Sequence, residues 1–150
     1  MRINLYTDGA CKGNPGPGGY GIVLEFKGKK KEINCGYRLT TNNRMELMAL
    51  IVGLESIKTN QYPVHVFSDS KYVIDSISKG WVFNWKTKGF KGKKNQDLWE
   101  RYLLLHSQFT LEFHWVKGHA GHPENERCDV LAVAAAENGP WSNDEGFSKT

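Results

Sequence analysis

The order of hydrophobic patterns predicts an α/β protein: a mixed five-stranded sheet with helices on both faces. Short apolar or alternating runs at 3–7, 20–26 and 32–39 open the chain, and helix-length sequence then separates two further short strands at 64–69 and 110–116. Strands joined by tight turns pair antiparallel, whereas strands joined through helices pair parallel. The first strand is therefore expected at the centre, antiparallel to the second and parallel to those beginning near 64 and 110.

Each element has its own local signal. The second and third strands, "YGIVLEF" and "EINCGYRL", flank "KGKKK", which reads as a hairpin turn. The segment "NRMELMALIVGLESIK" (43–58) is rich in helix formers and apolar nearly all round, with Asn42 or Asn43 as its N-cap. "VHVFSD" ends on Asp69, and Ser70 caps a helix running to about Ile77. A further helical stretch begins near Trp81, and Asp97 with Glu100 resembles a capping box opening "DLWERYLLLHS". Pro123 at a first helical position, with Glu124 and Glu126 in the first turn, starts the last helix, which Gly139 and Pro140 stop. The tail from Trp141 is polar and is expected to be mobile.

At 150 residues the chain suits one domain with a core that needs no disulfide or structural metal. Three cysteines at wide spacings, Cys11, Cys35 and Cys128, read as reduced thiols. No apolar run is long enough to span a bilayer, and "MRINLYTDG" lacks the features of a secretory signal, so a cytoplasmic chain is expected. Charge is unevenly spread. The net charge is +4, but "KGWVFNWKTKGFKGKKNQ" (79–96) holds six lysines and no acid; taking those six away leaves the remainder at −2. A lysine run is most often a solvated loop. Here Trp81, Phe83, Trp85 and Phe90 interleave with Lys79, Lys86, Lys88, Lys91, Lys93 and Lys94, which points to a surface for a nucleic-acid backbone.

Four acids stand where a carboxylate needs explaining. Asp8 and Asp69 sit at the carboxyl ends of strands predicted to be parallel, where ligands bind in open α/β sheets. Glu46 is the only charge between Met45 and Leu54, and Asp129 interrupts the apolar face of "ERCDVLAVAAA". Singly, each could cap a helix or brace a turn. Together they would repel one another unless cations neutralised them, and an oxygen-only set favours Mg²⁺ or Mn²⁺ over zinc. Such a set marks a candidate divalent-metal site. His119, between glycines in "KGHAGH", could carry a proton beside it; a surface role, or a zinc pair with His122, are the alternatives. The bare loop "GACKGNPGPGG" after Asp8 would let a nucleic-acid strand approach the backbone closely.

The stretches "TDGACKGNPGPGGYG", "TTNNRMELMA", "SDSKYV", "NWKTKGF" and "WVKGHAGHPENERCD" resemble, in order and spacing, a bacterial type 1 ribonuclease H from about Ile3 to Asn138. The resemblance implies the family's ribonuclease H-like fold over a domain of residues 1–139, with a basic protrusion at about 79–96 and a polar tail at 140–150. It implies an endonuclease that hydrolyses the RNA strand of RNA–DNA hybrids and leaves 5′-phosphate and 3′-hydroxyl ends. Asp8 would bridge two Mg²⁺ ions, with Mn²⁺ as a substitute; Asp69 and Asp129 would hold the nucleophile-side ion and Glu46 the other. His119 would assist proton transfer and product departure. Cys11, Gly13, Asn14, Asn42, Asn43 and Glu46 would meet the RNA strand or the minor groove, where 2′-hydroxyls are read. Thr41 and Asn95 would bind a DNA-strand phosphate, and the segment bearing Trp81, Trp85, Lys86, Lys88, Lys91, Lys93 and Lys94 would grip the hybrid. Lys71 stands where an amide often contacts the groove, and Leu39 where an arginine often serves the DNA strand. The protein would act as a monomer, without a membrane. Two rivals share parts of this pattern: a binding module using the basic patch alone, and a DNA-directed transferase or resolvase on a related sheet.

Overall fold

The computed structural model describes residues 1–118 and 121–147. The strands are β1 (Ile3–Cys11), β2 (Gly16–Phe26), β3 (Lys29–Thr40), β4 (Val64–Ser68), β5 (Leu111–Trp115) and β6 (Trp141–Ser142). The helices are α1 (Asn42–Glu55), α2 (Lys71–Ser78), α3 (Trp81–Thr87), α4 (Gln96–His106) and α5 (Pro123–Asn138). Among the described residues the strands form one sheet in the order β5-β4-β1-β2-β3-β6. The first three run antiparallel, β4 is parallel to β1 and β5 parallel to β4, as the connections require.

The sheet has six strands rather than the expected five, because two residues of the tail, Trp141 and Ser142, pair parallel with Gly36 and Tyr37. The tail is not free. Asp144 accepts hydrogen bonds from Thr40 Oγ1 at 2.7 Å and from Arg44 Nε at 2.7 Å, drawing residues 141–147 onto the body of the protein. The hairpin between β2 and β3 is tighter than "KGKKK" suggested: Lys27 and Gly28 turn the chain with φ of 51° and 78°, a two-residue turn with both positions left-handed.

The two faces of the sheet are set by alternation along β2. A β-carbon at Gly18 would press on Met45 of α1, whereas one at Gly19 would press on Ala132 and Ala135 of α5. Leu5, Ile22, Leu47, Leu50, Ile51, Leu54 and Val66 are fully buried between the sheet and α1, and Trp99 and Tyr102 of α4 close that layer. Trp99 Nε1 donates to Tyr72 Oη at 2.8 Å, so its one polar atom is satisfied in the core. On the other face α5 lies so close to β2 that a β-carbon at Gly21 would collide with the Cys128 carbonyl oxygen. Gly21→Ala is therefore expected to destabilise the fold by about 1–3 kcal/mol through overpacking, read as a lower urea midpoint with unchanged slope.

Local caps differ from expectation in two places. Thr41, not Asn42 or Asn43, is the N-cap of α1: its Oγ1 accepts from Arg44 N at 3.2 Å. Asp97 does not open a capping box. Asn95 holds the cap position of α4 with φ of 66° and no side-chain cap bond, while both Asp97 oxygens accept from the Arg44 guanidinium, at 2.9 and 2.7 Å. A charged fork outcompetes a backbone amide for the carboxylate. Ser70 does cap α2, accepting from Val73 N at 3.2 Å, and Pro123 is in the first turn of α5.

Candidate active site

Asp8 lies inside β1 rather than at its end, because β1 continues to Cys11 in antiparallel pairing with β2. The parallel pairing of β1 with β4, however, stops at Tyr6 opposite Phe67. Beyond that pair the two strands diverge, with Asp8 and Asp69 each two residues past it. The gap between separating parallel strands is the crevice in which open α/β sheets hold ligands.

Glu46 comes to this crevice from just beyond the first turn of α1. Gly9 makes the approach possible: a β-carbon there would stand 2.5 Å from Glu46 N, so any side chain would push α1 off the strand. Asp129 comes from α5, one turn after Asn125. The Asn125 amide donates to the carbonyl oxygens of Thr7 at 3.4 Å and Phe67 at 3.0 Å, pinning α5 across the split between β1 and β4. Asn125 was not foreseen; its position four residues before Asp129, on the same helical face, was the available signal.

One carboxylate oxygen from each of Asp8, Glu46 and Asp69 lies within 4.8 Å of the others. Asp129 lines the same cleft with Asp8, Asp69, Gly118, His122 and Asn125. The electrostatic consequence is large. Burial, with the Asp69 and Asp129 charges beside it, pushes Asp8 up to about 8, although the Gly9 amide donates to its Oδ1 at 2.9 Å. Burial, then Asp8 and Asp69, pushes the Glu46 carboxyl up as well. Glu46 Oε1 and Asp69 Oδ1 are buried without a hydrogen-bond partner among the described residues. Such oxygens are costly unless a cation satisfies them, and a hard oxygen donor set fits Mg²⁺ or Mn²⁺. His119 lies outside the described residues. His122 precedes α5 at its N-cap position, where its side chain makes no cap bond, and faces the cleft.

A second groove runs beside α1, lined by Asn14, Pro15, Thr41, Asn43, Lys93, Lys94 and Asn95. Asn14 Oδ1 accepts from Asn42 N at 3.1 Å, which joins the β1–β2 turn to the start of α1. Gly13 turns that corner with φ of 83°. Two of the expected contacts are directed inward: Cys11 Sγ points at the carbonyl oxygens of Gly16 and Thr40, and the Asn95 amide donates to Tyr72 Oη at 3.0 Å and accepts from Arg44. Trp81, Trp85, Lys88, Lys91 and Lys93 line a further depression, with Lys86 exposed nearby. Trp85 does double duty, edge-on to Trp99 at 6.1 Å and beneath Lys93 Nζ at 5.2 Å, while Trp81 remains 43% exposed. Lys71 is set apart, with its Nζ 4.3 Å above the Trp115 ring.

Comparison with known proteins agrees with this architecture. The RNase H family profile matches residues 1–137. A ribonuclease H of Desulforamulus reducens is 57% identical over 141 residues, covering 91% of this chain and 88% of its own. A ribonuclease HI of Synechocystis is 49% identical, covering 98% of this chain and 95% of its own. Among solved structures, LC9-RNase H1, described as a type 1 RNase H with the type 2 active-site motif, superposes with a TM-score of 0.80 at 32% identity, covering 99% of this chain and 77% of its own. LC11-RNase H1, solved in complex with an RNA/DNA hybrid, gives a TM-score of 0.67 at 27% identity over 90% of this chain and 96% of its own. With its mixed sheet, its convergent carboxylates and a family match over nearly its whole length, the chain is a bacterial type 1 member of the ribonuclease H family of hydrolases.

Proposed function

We propose that the chain cuts the RNA strand of RNA–DNA hybrids at the cleft formed by Asp8, Glu46, Asp69 and Asp129, leaving 5′-phosphate and 3′-hydroxyl ends. The observation that carries the reading is the packing of these acids with two buried oxygens unsatisfied, an arrangement that repels itself until divalent cations enter. When bound, two Mg²⁺ ions, or Mn²⁺ in their place, would lower the pKa of the attacking water and offset charge on the leaving oxygen. Asp8, held by the Gly9 amide, is central to the set, with the charges of Asp69 and Asp129 acting on it and Glu46 crowded by both Asp8 and Asp69; Asp69 and Asp129 would hold one ion and Glu46 the other.

The rest of the chain positions the strand. Asn14, Thr41, Asn43, Lys93 and Lys94 offer amides, a hydroxyl and ammonium groups along one groove, a set that suits phosphates and 2′-hydroxyls and carries no base-specific code. The lysines and exposed tryptophan of residues 79–96 extend the positive surface, so affinity should fall with added salt. His119 is assigned to proton transfer as product leaves. We infer a cytoplasmic monomer in which residues 1–139 carry the activity; among the described residues no helix is long and apolar enough to cross a membrane.

The test is incubation with end-labelled RNA–DNA hybrid, double-stranded RNA and duplex DNA, in Mg²⁺ and in chelator. Metal-dependent cutting confined to the hybrid's RNA, with 5′-phosphate on the products, is expected. Hybrid binding without cutting in Mg²⁺ or Mn²⁺ would replace this reading with that of a binding module, and cutting of duplex DNA with that of a DNA-directed enzyme.

A further inference from the structure

At the edge of the sheet, away from the acidic cleft, lies a cluster that the proposed reaction does not use. His65 of β4 and Glu112 of β5 are register partners, and His114 stands opposite Phe67, two residues further along both strands. The period of two puts all three side chains on one face. His65 Nδ1 and His114 Nε2 are 2.8 Å apart. Glu112 reaches both rings, with Oε2 3.3 Å from His65 Nε2 and Oε1 3.8 Å from His114 Nε2. One donor atom of each residue lies within 4.8 Å of the others.

We propose that His65, Glu112 and His114 form a binding site for a transition-metal dication, Zn²⁺ first among them, that ties edge strand β5 to β4. Two imidazoles and a carboxylate are the donors that Zn²⁺ takes, and three protein ligands leave a position for water. Magnesium and calcium prefer all-oxygen sets, so this site and the acidic cleft select different ions. In a tetrahedral site with bonds of about 2.0–2.1 Å the donors stand about 3.3 Å apart. His65 Nδ1 and His114 Nε2 are 2.8 Å apart, Glu112 Oε1 is 3.8 Å from that His114 nitrogen, and one donor of each residue lies within 4.8 Å of the others, so modest side-chain rotation closes the set on one ion. An ion entering here replaces the hydrogen bond that joins His65 Nδ1 and His114 Nε2.

The rings are already set in place. His65 and His114 stack with centroids 5.0 Å apart, and Phe67 lies against His114 at 4.7 Å with Tyr6 stacked on Phe67 in turn. The His65 side chain is only 13% exposed, whereas His114 at 34% and Glu112 at 61% leave an open approach from solvent. One cation competes: Arg2 NH1 lies 3.1 Å from His65 Nδ1. Its removal should therefore strengthen metal binding, opposite to what loss of a ligand does.

The test is titration of the whole chain with Zn²⁺ by calorimetry in excess Mg²⁺, which occupies the acidic cleft. One ion per chain is expected, with binding weakened at least about tenfold in Glu112→Gln and His114→Gln, strengthened in Arg2→Ala, and retained in Asp8→Asn and His122→Gln. Two readouts do not depend on any variant folding: zinc should shift the ring-nitrogen resonances of His65 and His114 in the parent chain, and should raise its thermal midpoint. Absence of saturable binding below about 1 mM Zn²⁺ overturns the proposal. So does binding that leaves the His65 and His114 resonances unmoved, or that disappears in Asp8→Asn.

Discussion

Asp8→Asn is expected to reduce hybrid cleavage at least about a thousandfold and, at the same time, to make the metal-free protein more stable. The loss follows from removing the central carboxylate of the cation-holding set, whose contribution is several kcal/mol at about 1.4 kcal/mol per factor of ten. The gain follows from the same crowding. Burial and the neighbouring acids hold the Asp8 carboxyl at about 8, against 3.8 ordinarily. Between those values the native state keeps a proton that the unfolded chain has released, so stability in chelator falls as pH rises from about 4 and levels off above about 8. An asparagine carries no such proton, and the slope due to this site should flatten. Urea unfolding in chelator at pH 5, 7 and 9 measures both effects, with the variant more stable by about 0.5–2 kcal/mol at pH 9. A variant less stable than the parent in chelator would show that Asp8 supports the fold rather than straining it. Added Mg²⁺ should remove the difference by stabilising the parent alone, with protons released below pH 8.

Arg44→Ala is expected to destabilise the fold by about 3–5 kcal/mol, because it strands buried charge. The Arg44 side chain is 2% exposed, and so is that of Asp144, which accepts from its Nε at 2.7 Å and its NH2 at 2.9 Å. Asp97 accepts from the other edge of the guanidinium, and although burial pushes its carboxyl up, the Arg44 hydrogen bonds hold it below the usual carboxylate range. Stability from this second pair is present above the ordinary carboxylate value of about 3.9 and is lost as pH falls through the depressed one. Arg44→Lys should recover only part of the loss, since an ammonium cannot serve two carboxylates bidentately. Asp144→Ala should cost less, about 1–3 kcal/mol, because Arg44 keeps Asp97. Urea midpoints of the three variants check the order. A fall of less than about 1 kcal/mol in Arg44→Ala would mean that the tail is not held by this pair. The effect extends to the active site, for Arg44 belongs to the turn of α1 that aims Glu46.

Much of this was legible in local pattern. A short apolar run marked β4, alternation marked β5, helix formers with Ser70 and Pro123 marked α2 and α5, and four isolated acids on β1, on α1, after β4 and on α5 pointed to a candidate cleft. Local pattern also misled where two partners compete for one side chain. Asp97 reads as the start of a capping box until Arg44, 53 residues away, claims its carboxylate. The tail reads as free until Asp144, 100 residues from Arg44, pairs with the same guanidinium. β1 reads as ending at Asp8 because Gly9 follows it, yet Gly9 stays in the sheet and lets α1 approach, as Gly19 and Gly21 of β2 do for α5. The sequence by itself determined the first five strands, the helices and the mixed pairing of the sheet, and singled out four acids as a candidate set, since periodicity, caps and connection length act over a few residues. Only the tertiary structure decided that β1 and β4 part after Tyr6 and Phe67, that Arg44 joins α1 to the tail, and that His65 meets His114 across two strands. Those outcomes depend on packing and charge between residues far apart in the chain, which no local signal contains.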